Sequence, residues 1–161
     1  MTIKIFTTGG TIDKTYFDQK DAYHVGEPQV AGILERANVT VNYEIVPLLQ
    51  KDSLDLDAAD RALISASVEA CHERHIIITH GTDSMVETAK ALHQVVTDKT
   101  VILTGAMYPA QYRDSDAVFN MGCAIIAAQS CEFGVYLVMN GRILNPLTTS
   151  KNIAMNTFEE Q

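Results

Sequence analysis

The stretch His75–His80, HIIITH, decides the fold. Its three consecutive isoleucines leave no polar alternation, so both faces of an extended segment here are apolar. That is the pattern of a central parallel strand covered on both sides. Working outward, strand-like and helix-like runs alternate along the chain. TIKIFTT (Thr2–Thr8) and VTVNYEIVPL (Val39–Leu48) precede HIIITH, while KTVILTGA (Lys99–Ala106) and FGVYLVMN (Phe133–Asn140) follow it.

Helical periodicity fills the gaps. Pro28 is expected to open a helix with Val30, Ile33, Leu34 and Ala37 on one face. Asp57 reads as an N-cap with Asp60 in the first turn. The helix that follows carries Ala59, Leu63, Ala66 and Ala70 on one stripe, with Ile64, Val68 and Cys71 beside it. A helix from about Asp83 is expected to bury Met85, Ala89, Leu92 and Val96. Another, near Asp116–Ser130, carries Val118, Met121, Ile125 and Ala128. The segment after the first strand reads as irregular. GRILNPLTTSKN (Gly141–Asn152) reads as a turn, a short extended piece and a loop. Strands separated by helices predict an α/β chain: a Rossmann-like, three-layer αβα sandwich around a mainly parallel sheet. With no repeat or linker, residues 1–161 are read as one domain.

Composition narrows the function. The 161 residues carry a net charge of −8 and no basic cluster longer than two residues, which argues against a nucleic-acid partner. No run approaches a membrane span. MTIKIF at the N-terminus lacks the apolar stretch and cleavage site of a signal peptide, so a cytoplasmic location is expected. Cys71, Cys123 and Cys131 are odd in number and form no C-x-x-C pair, as expected of buried thiols in a reducing compartment.

In a sheet of this kind, ligands bind beyond the carboxyl ends of the strands. Those ends are TTGGT (Thr7–Thr11), PLLQKDS (Pro47–Ser53), THGTDS (Thr79–Ser84), TGAMYP (Thr104–Pro109) and the loop after LVMN. Hydroxyls and glycines gather there. Alone, each stretch has a structural reading beside a chemical one. TTGGTID (Thr7–Asp13) fits a structural turn as well as a nucleophilic threonine, and it lacks both G-x-G-x-x-G and G-x-x-x-x-G-K-[ST]. Thr82 or Asp83 fits an N-cap, which explains one polar residue there but not three. His80 fits a hydrogen-bonded structural histidine, a base or a metal ligand. Lys151, in a polar stretch, fits a surface lysine, and it becomes a base only where burial or neighbours disfavour its charge.

Together the motifs are more specific. TGGTI (Thr8–Ile12), THGTDSMVETA (Thr79–Ala89), GAMYP (Gly105–Pro109), SDAVFN (Ser115–Asn120), DSLDL (Asp52–Leu56) and VMNGRILNPLTTSK (Val138–Lys151) resemble, in order, the motifs of the bacterial-type L-asparaginases, a family of amidohydrolases. The resemblance covers nearly the whole chain. It implies hydrolysis of L-asparagine to L-aspartate and ammonia. Thr11 is implied as the acylated nucleophile, with Tyr23 contacting it from a closing loop, Ile12–Glu27. Thr82, Asp83 and Lys151 are implied as the second catalytic cluster. Gly10, Asp52, Ser53, Gly81, Asp83 and Ala106 are implied as substrate-binding positions, with Ser53 toward the α-carboxylate and Asp83 toward the α-ammonium. Neither metal nor cofactor is expected, and H-E-x-x-H spacing is absent. A homodimer or homotetramer is expected.

There are two departures from the family pattern. Members usually have about twice this length and a second, smaller domain, which lends a further acidic ligand to the ammonium; a short-chain, single-domain form is therefore expected. Leu54 stands where many relatives carry a polar residue. A glutaminase or related amidohydrolase is the alternative enzyme. A catalytically silent amino-acid-binding or regulatory module is the alternative outside catalysis.

Overall fold

β-Branched and aromatic runs become strands, and the apolar-periodic runs between them become helices. The computed structural model describes residues 1–17 and 22–161. β1 (Thr2–Gly9) leads into a 3₁₀ turn at Thr11–Asp13 and an antiparallel hairpin of β2 (Lys14–Phe17) with β3 (Ala22–Val25). Next come α1 (Val30–Arg36), β4 (Asn42–Lys51), a 3₁₀ turn at Ser53–Asp55, and α2 (Ala58–Ala70). β5 (His75–Thr79), α3 (Met85–His93), β6 (Thr100–Thr104), α4 (Ala117–Ser130), β7 (Gly134–Met139) and β8 (Arg142–Leu144) follow. A second hairpin pairs β9 (Thr149–Asn152) with β10 (Thr157–Glu160).

Six strands form the main sheet in the order β4-β1-β5-β6-β7-β8. All neighbours are parallel except the antiparallel edge strand β8. Ile5, Ile77 and Ile102 lie in register across β1, β5 and β6 and, with α1 and α4, form the core on one face. Phe6, Ile76, Ile78, Val101 and Leu103 face the other way and pack with α2 and α3. The three-layer αβα sandwich around a mainly parallel sheet is therefore present, with HIIIT as its fully covered middle strand.

Topology places the site. From β1 the chain steps left to β4 and then returns rightward to β5, so strand order reverses between β1 and β5. The turns after those two strands carry Thr11 and Thr82, and a reversal point is where open α/β sheets bind ligands. The rightward crossovers through α2 and α3 share one face, but the rightward crossover through α4 takes the opposite face. Its hand is therefore opposite to the other three, against the strong general preference. The connection from β6 to α4 leaves from the carboxyl edge of the sheet. On the way, the Ala110 amide donates to the Ile12 carbonyl at 3.1 Å.

Several expectations are corrected. The segment after β1 contains the β2–β3 hairpin and is not simply irregular; residues 18–21, inside the expected closing loop, lie outside the described residues. The first helix starts at Val30, two residues beyond Pro28, and Ala37 caps its exposed end. The second strand runs from Asn42 to Lys51, later than Val39–Leu48. On α2 the buried stripe is Asp60, Ile64 and Val68, while Leu63 is exposed. Two overlapping apolar stripes made the phase of that helix ambiguous in sequence, and the Asp60 contacts at its start orient it. Val118 of α4 is also exposed. Lys151 lies in strand β9 and not in a loop.

Candidate active site

Two glycines bring the site together. Gly10 has φ +85°, a left-handed region that favours glycine, and a Cβ on it would collide with the Gly81 backbone. The turns after β1 and β5 are thus in direct contact, and the residue after each glycine is a threonine, Thr11 and Thr82. A Cβ on Gly81 would in turn strike Ser53 at 2.5 Å. Three of the expected loops therefore meet at one point, two of them backbone to backbone and the third through Ser53.

Thr8, three residues before Thr11 and still in β1, is fully buried, and its hydroxyl donates to the Thr79 carbonyl at 2.9 Å. It ties β1 to β5 and is not free for chemistry. Thr11 is only partly buried and heads the short 3₁₀ turn.

Lys151 reaches the β5 turn from the far end of the chain. Its ammonium donates to Thr82 Oγ1 at 2.8 Å and pairs with Asp83 Oδ1 at 2.5 Å. The Lys151 side chain is 10% exposed and that of Asp83 39%. The strand that carries Lys151 is held by its partner: Phe158 lies opposite Lys151 and is buried in the core beside α2 and α3. This explains how a lysine 69 residues from Thr82 arrives with a fixed orientation.

Ser53 is buried, and its carbonyl accepts from Ser84 Oγ at 2.5 Å. Asp52 caps the Ser53–Asp55 turn by accepting from the Leu54 amide at 3.1 Å and pairs with Lys14 at 2.6 Å. Burial pushes the Asp52 carboxyl up, but Lys14 and the Leu54 and Ser53 amides outweigh it and hold it below its ordinary value. Leu54 itself is 75% exposed. Ala106 is buried at the start of the β6–α4 connection.

Tyr23, on β3, stacks edge-on against Tyr16 at 5.4 Å and against Tyr112 at 6.3 Å between ring centroids. The first contact lies within the hairpin. The second docks the hairpin on the β6–α4 connection, which the Ala110–Ile12 bond joins to the Thr11 turn.

Other residues complete the setting, and sequence reading did not give them these parts. Asp116 accepts from the amides of Met107 and Tyr108 and from Asn120 Nδ2, while Asn120 also donates to the Gly105 carbonyl and accepts from the Asn140 amide. Together they pin the Gly105–Tyr108 loop. The SDAVFN motif held both residues, but only their spacing to a distant loop reveals the tie. His80 is fully buried, with Nδ1 on the Gly81 carbonyl at 2.7 Å and Nε2 on Thr88 Oγ1 at 2.9 Å. Burial pushes its pKa down to about 4, so it is neutral at pH 7 and both ring nitrogens are occupied. Its part is structural. Among the described residues, no group of three or more His, Cys, Asp or Glu stands where it would hold a metal ion.

A family model described as Asparaginase, N-terminal, matches residues 2–160. The chain is 30% identical to the L-asparaginase of Thermococcus kodakarensis, over 99% of this chain and 51% of that protein. It is 33% identical to the glutaminase-asparaginase of Acinetobacter glutaminasificans, over 96% of this chain and 51% of that protein. Among solved structures, L-asparaginase I from Vibrio cholerae matches with a TM-score of 0.86 at 28% identity, covering 99% of this chain and 51% of that one. The mainly parallel α/β fold matches those of solved asparaginases, and this chain belongs to the asparaginase family. It spans about half the length of the curated relatives it matches.

Proposed function

We propose that this chain is an L-asparaginase that hydrolyses L-asparagine to L-aspartate and ammonia through Thr11. The observation that carries the reading is the Thr82–Lys151–Asp83 cluster, set one residue from the Gly10–Gly81 contact that brings the Thr11 turn against it. A binding module has no need of a lysine held on a hydroxyl. We also read residues 1–161 as one catalytic unit, acting in the cytoplasm as a homo-oligomer. Among the described residues, no helix is long and apolar enough to cross a membrane.

In this mechanism the Thr11 oxygen attacks the side-chain amide carbon of asparagine. Its proton passes to Tyr23, or through the Thr82 hydroxyl to Lys151 as the free amine, and then to the leaving nitrogen. Backbone N–H groups beside Thr11 and Thr82 hold the oxyanion. Ammonia leaves, a threonyl ester remains, and water hydrolyses it to aspartate and free Thr11. Ser53 and neighbouring amides hold the α-carboxylate, and Asp83 the α-ammonium. The Asp52 carboxylate, engaged by Lys14 and the Leu54 amide, shapes that turn.

Ammonia release from L-asparagine, L-glutamine and D-asparagine tests the proposal. Asparagine is expected to exceed glutamine by at least roughly tenfold in kcat/KM, since one methylene commands ~1–3 kcal/mol. Comparable values would favour a glutaminase-asparaginase. Asparagine-induced thermal stabilisation without ammonia release would leave only a binding module.

A further inference from the structure

Asp13 is a buried carboxyl that the proposed chemistry does not use. It ends the 3₁₀ turn that Thr11 begins, and it is 2% exposed. Its backbone amide donates to the Gly10 carbonyl at 3.1 Å, and its carbonyl accepts from the Gly26 amide at 2.8 Å. Its carboxylate Oδ1 accepts from the Gln29 amide at 2.8 Å. Gly26 is the exit of the β2–β3 hairpin, and Gln29 is the entry to α1. One residue thus ties the exit of the hairpin and the entry of α1 to the turn that bears the proposed nucleophile.

We propose that Asp13 is a positioning residue: its side chain clasps the entry of α1, just past the base of the Tyr23-bearing hairpin, against the Thr11 turn, where its backbone carbonyl already holds the hairpin exit. The inference rests on the asparaginase reading only for its catalytic consequence.

The clasp is sensitive to charge. The cavity beside Asp13 is lined by Gly26, Glu27 and Pro28 on one side and by Pro47, Leu48, Leu49 and Gln50 of β4 on the other. Among the described residues, Glu27 is the only other ionisable group in that lining, and it adds like charge. Lys14, next in the chain, is committed to Asp52. Burial first, and Glu27 in addition, raise the Asp13 pKa to about 7 against the pull of the Gln29 amide. Opening the base hydrates the carboxyl and returns it toward its ordinary value. The open form therefore ionises first, and rising pH favours opening until the clasped carboxyl ionises as well.

Amide hydrogen exchange at Gly26 and Gln29, corrected for intrinsic chemistry, tests this with wild type, Asp13→Asn and Asp13→Ala. In wild type the opening equilibrium should rise between about pH 5 and pH 7 and level off above. Asp13→Asn keeps an acceptor for Gln29 and has no charge to gain, so its opening should be independent of pH. Asp13→Ala should open roughly fivefold more than wild type at the acid end, where the neutral wild-type carboxyl still accepts from the Gln29 amide: the loss of one ordinary hydrogen bond. Its kcat/KM should fall, while Asp13→Asn retains activity. Flat wild-type opening, a wild-type slope in Asp13→Asn, or Asp13→Ala with faster exchange but unchanged kcat/KM would each overturn the proposal. If Asp13→Ala does not fold, the slopes of wild type and Asp13→Asn decide. The predicted exchange pattern in a chain that releases no ammonia supports the clasp and sinks only the amidohydrolase reading.

Discussion

At the scale of single residues, Thr82 and Lys151 are joined by one hydrogen bond, and groups on one proton path lose activity as a unit. Thr82→Val and Lys151→Met should each remove most turnover, and the double variant little more. Steady-state ammonia release checks this, and losses that multiply independently would break the relay. Much of this cluster was legible in sequence, because TGGTI and THGTDS are short local patterns. Thr8 and Thr11 were separable too: the first belongs to the strand run TIKIFTT and the second lies beyond its end. Asp13 was not legible. Its burial comes from the hairpin base and β4 closing around it, and nothing local in TID announces that.

At the scale of elements, α2 starts with a reciprocal cap. Asp57 Oδ1 accepts from the Asp60 amide at 2.9 Å, and Asp60 Oδ2 accepts from the Asp57 amide at 3.1 Å. Lys51 of β4 also pairs with Asp60 at 2.8 Å. Asp57→Ala should cost ~1 kcal/mol and lower Tm by roughly 2–4 °C in a thermal scan. An unchanged Tm would show that the Lys51 contact alone orients the helix. The cap was readable from sequence because it is local. The phase of α2 was not, because the Ala59, Leu63, Ala66, Ala70 stripe looks as apolar as the one that is buried. Only the sheet face it meets chooses between them. The β2–β3 hairpin escaped notice for a related reason: KTYF and AYHV are β-rich but short, and they pair only with each other.

At the scale of the whole molecule, two buried groups set opposing pH dependences. The folded His80 pKa is depressed, so its contribution to stability is present above the ordinary value of 6.5 and is lost as pH falls toward about 4. The folded Asp13 pKa is raised, so its contribution is present below the ordinary 3.8 and is lost as pH rises through about 7. Between about pH 4.5 and 6.5 the two slopes, each at most ~1.4 kcal/mol per pH unit, largely cancel. Denaturant melts should therefore show Asp13→Asn gaining stability with rising pH across that window and His80→Gln losing it. Slopes of the same sign would refute the assignments.

Assembly belongs to the same scale. α4 carries no charged residue, and its exposed Val118, Phe119 and Ile126 adjoin exposed Ile143 of β8. At least a dimer is expected, since symmetric homo-oligomers are the common solution. Sedimentation showing only a 17.7 kDa species at micromolar concentration would contradict that.

The central claim is that Thr11 carries the acyl group. Acid-quenching the chain during turnover of L-asparagine, followed by peptide mapping, tests it directly. An aspartyl ester is predicted on the peptide containing Thr11, absent from Thr11→Val, whose ammonia release should be lost with folding intact. An ester on Thr82, or ammonia release by Thr11→Val at even about a tenth of the wild-type rate, would contradict the account, since losing an essential nucleophile costs several orders of magnitude.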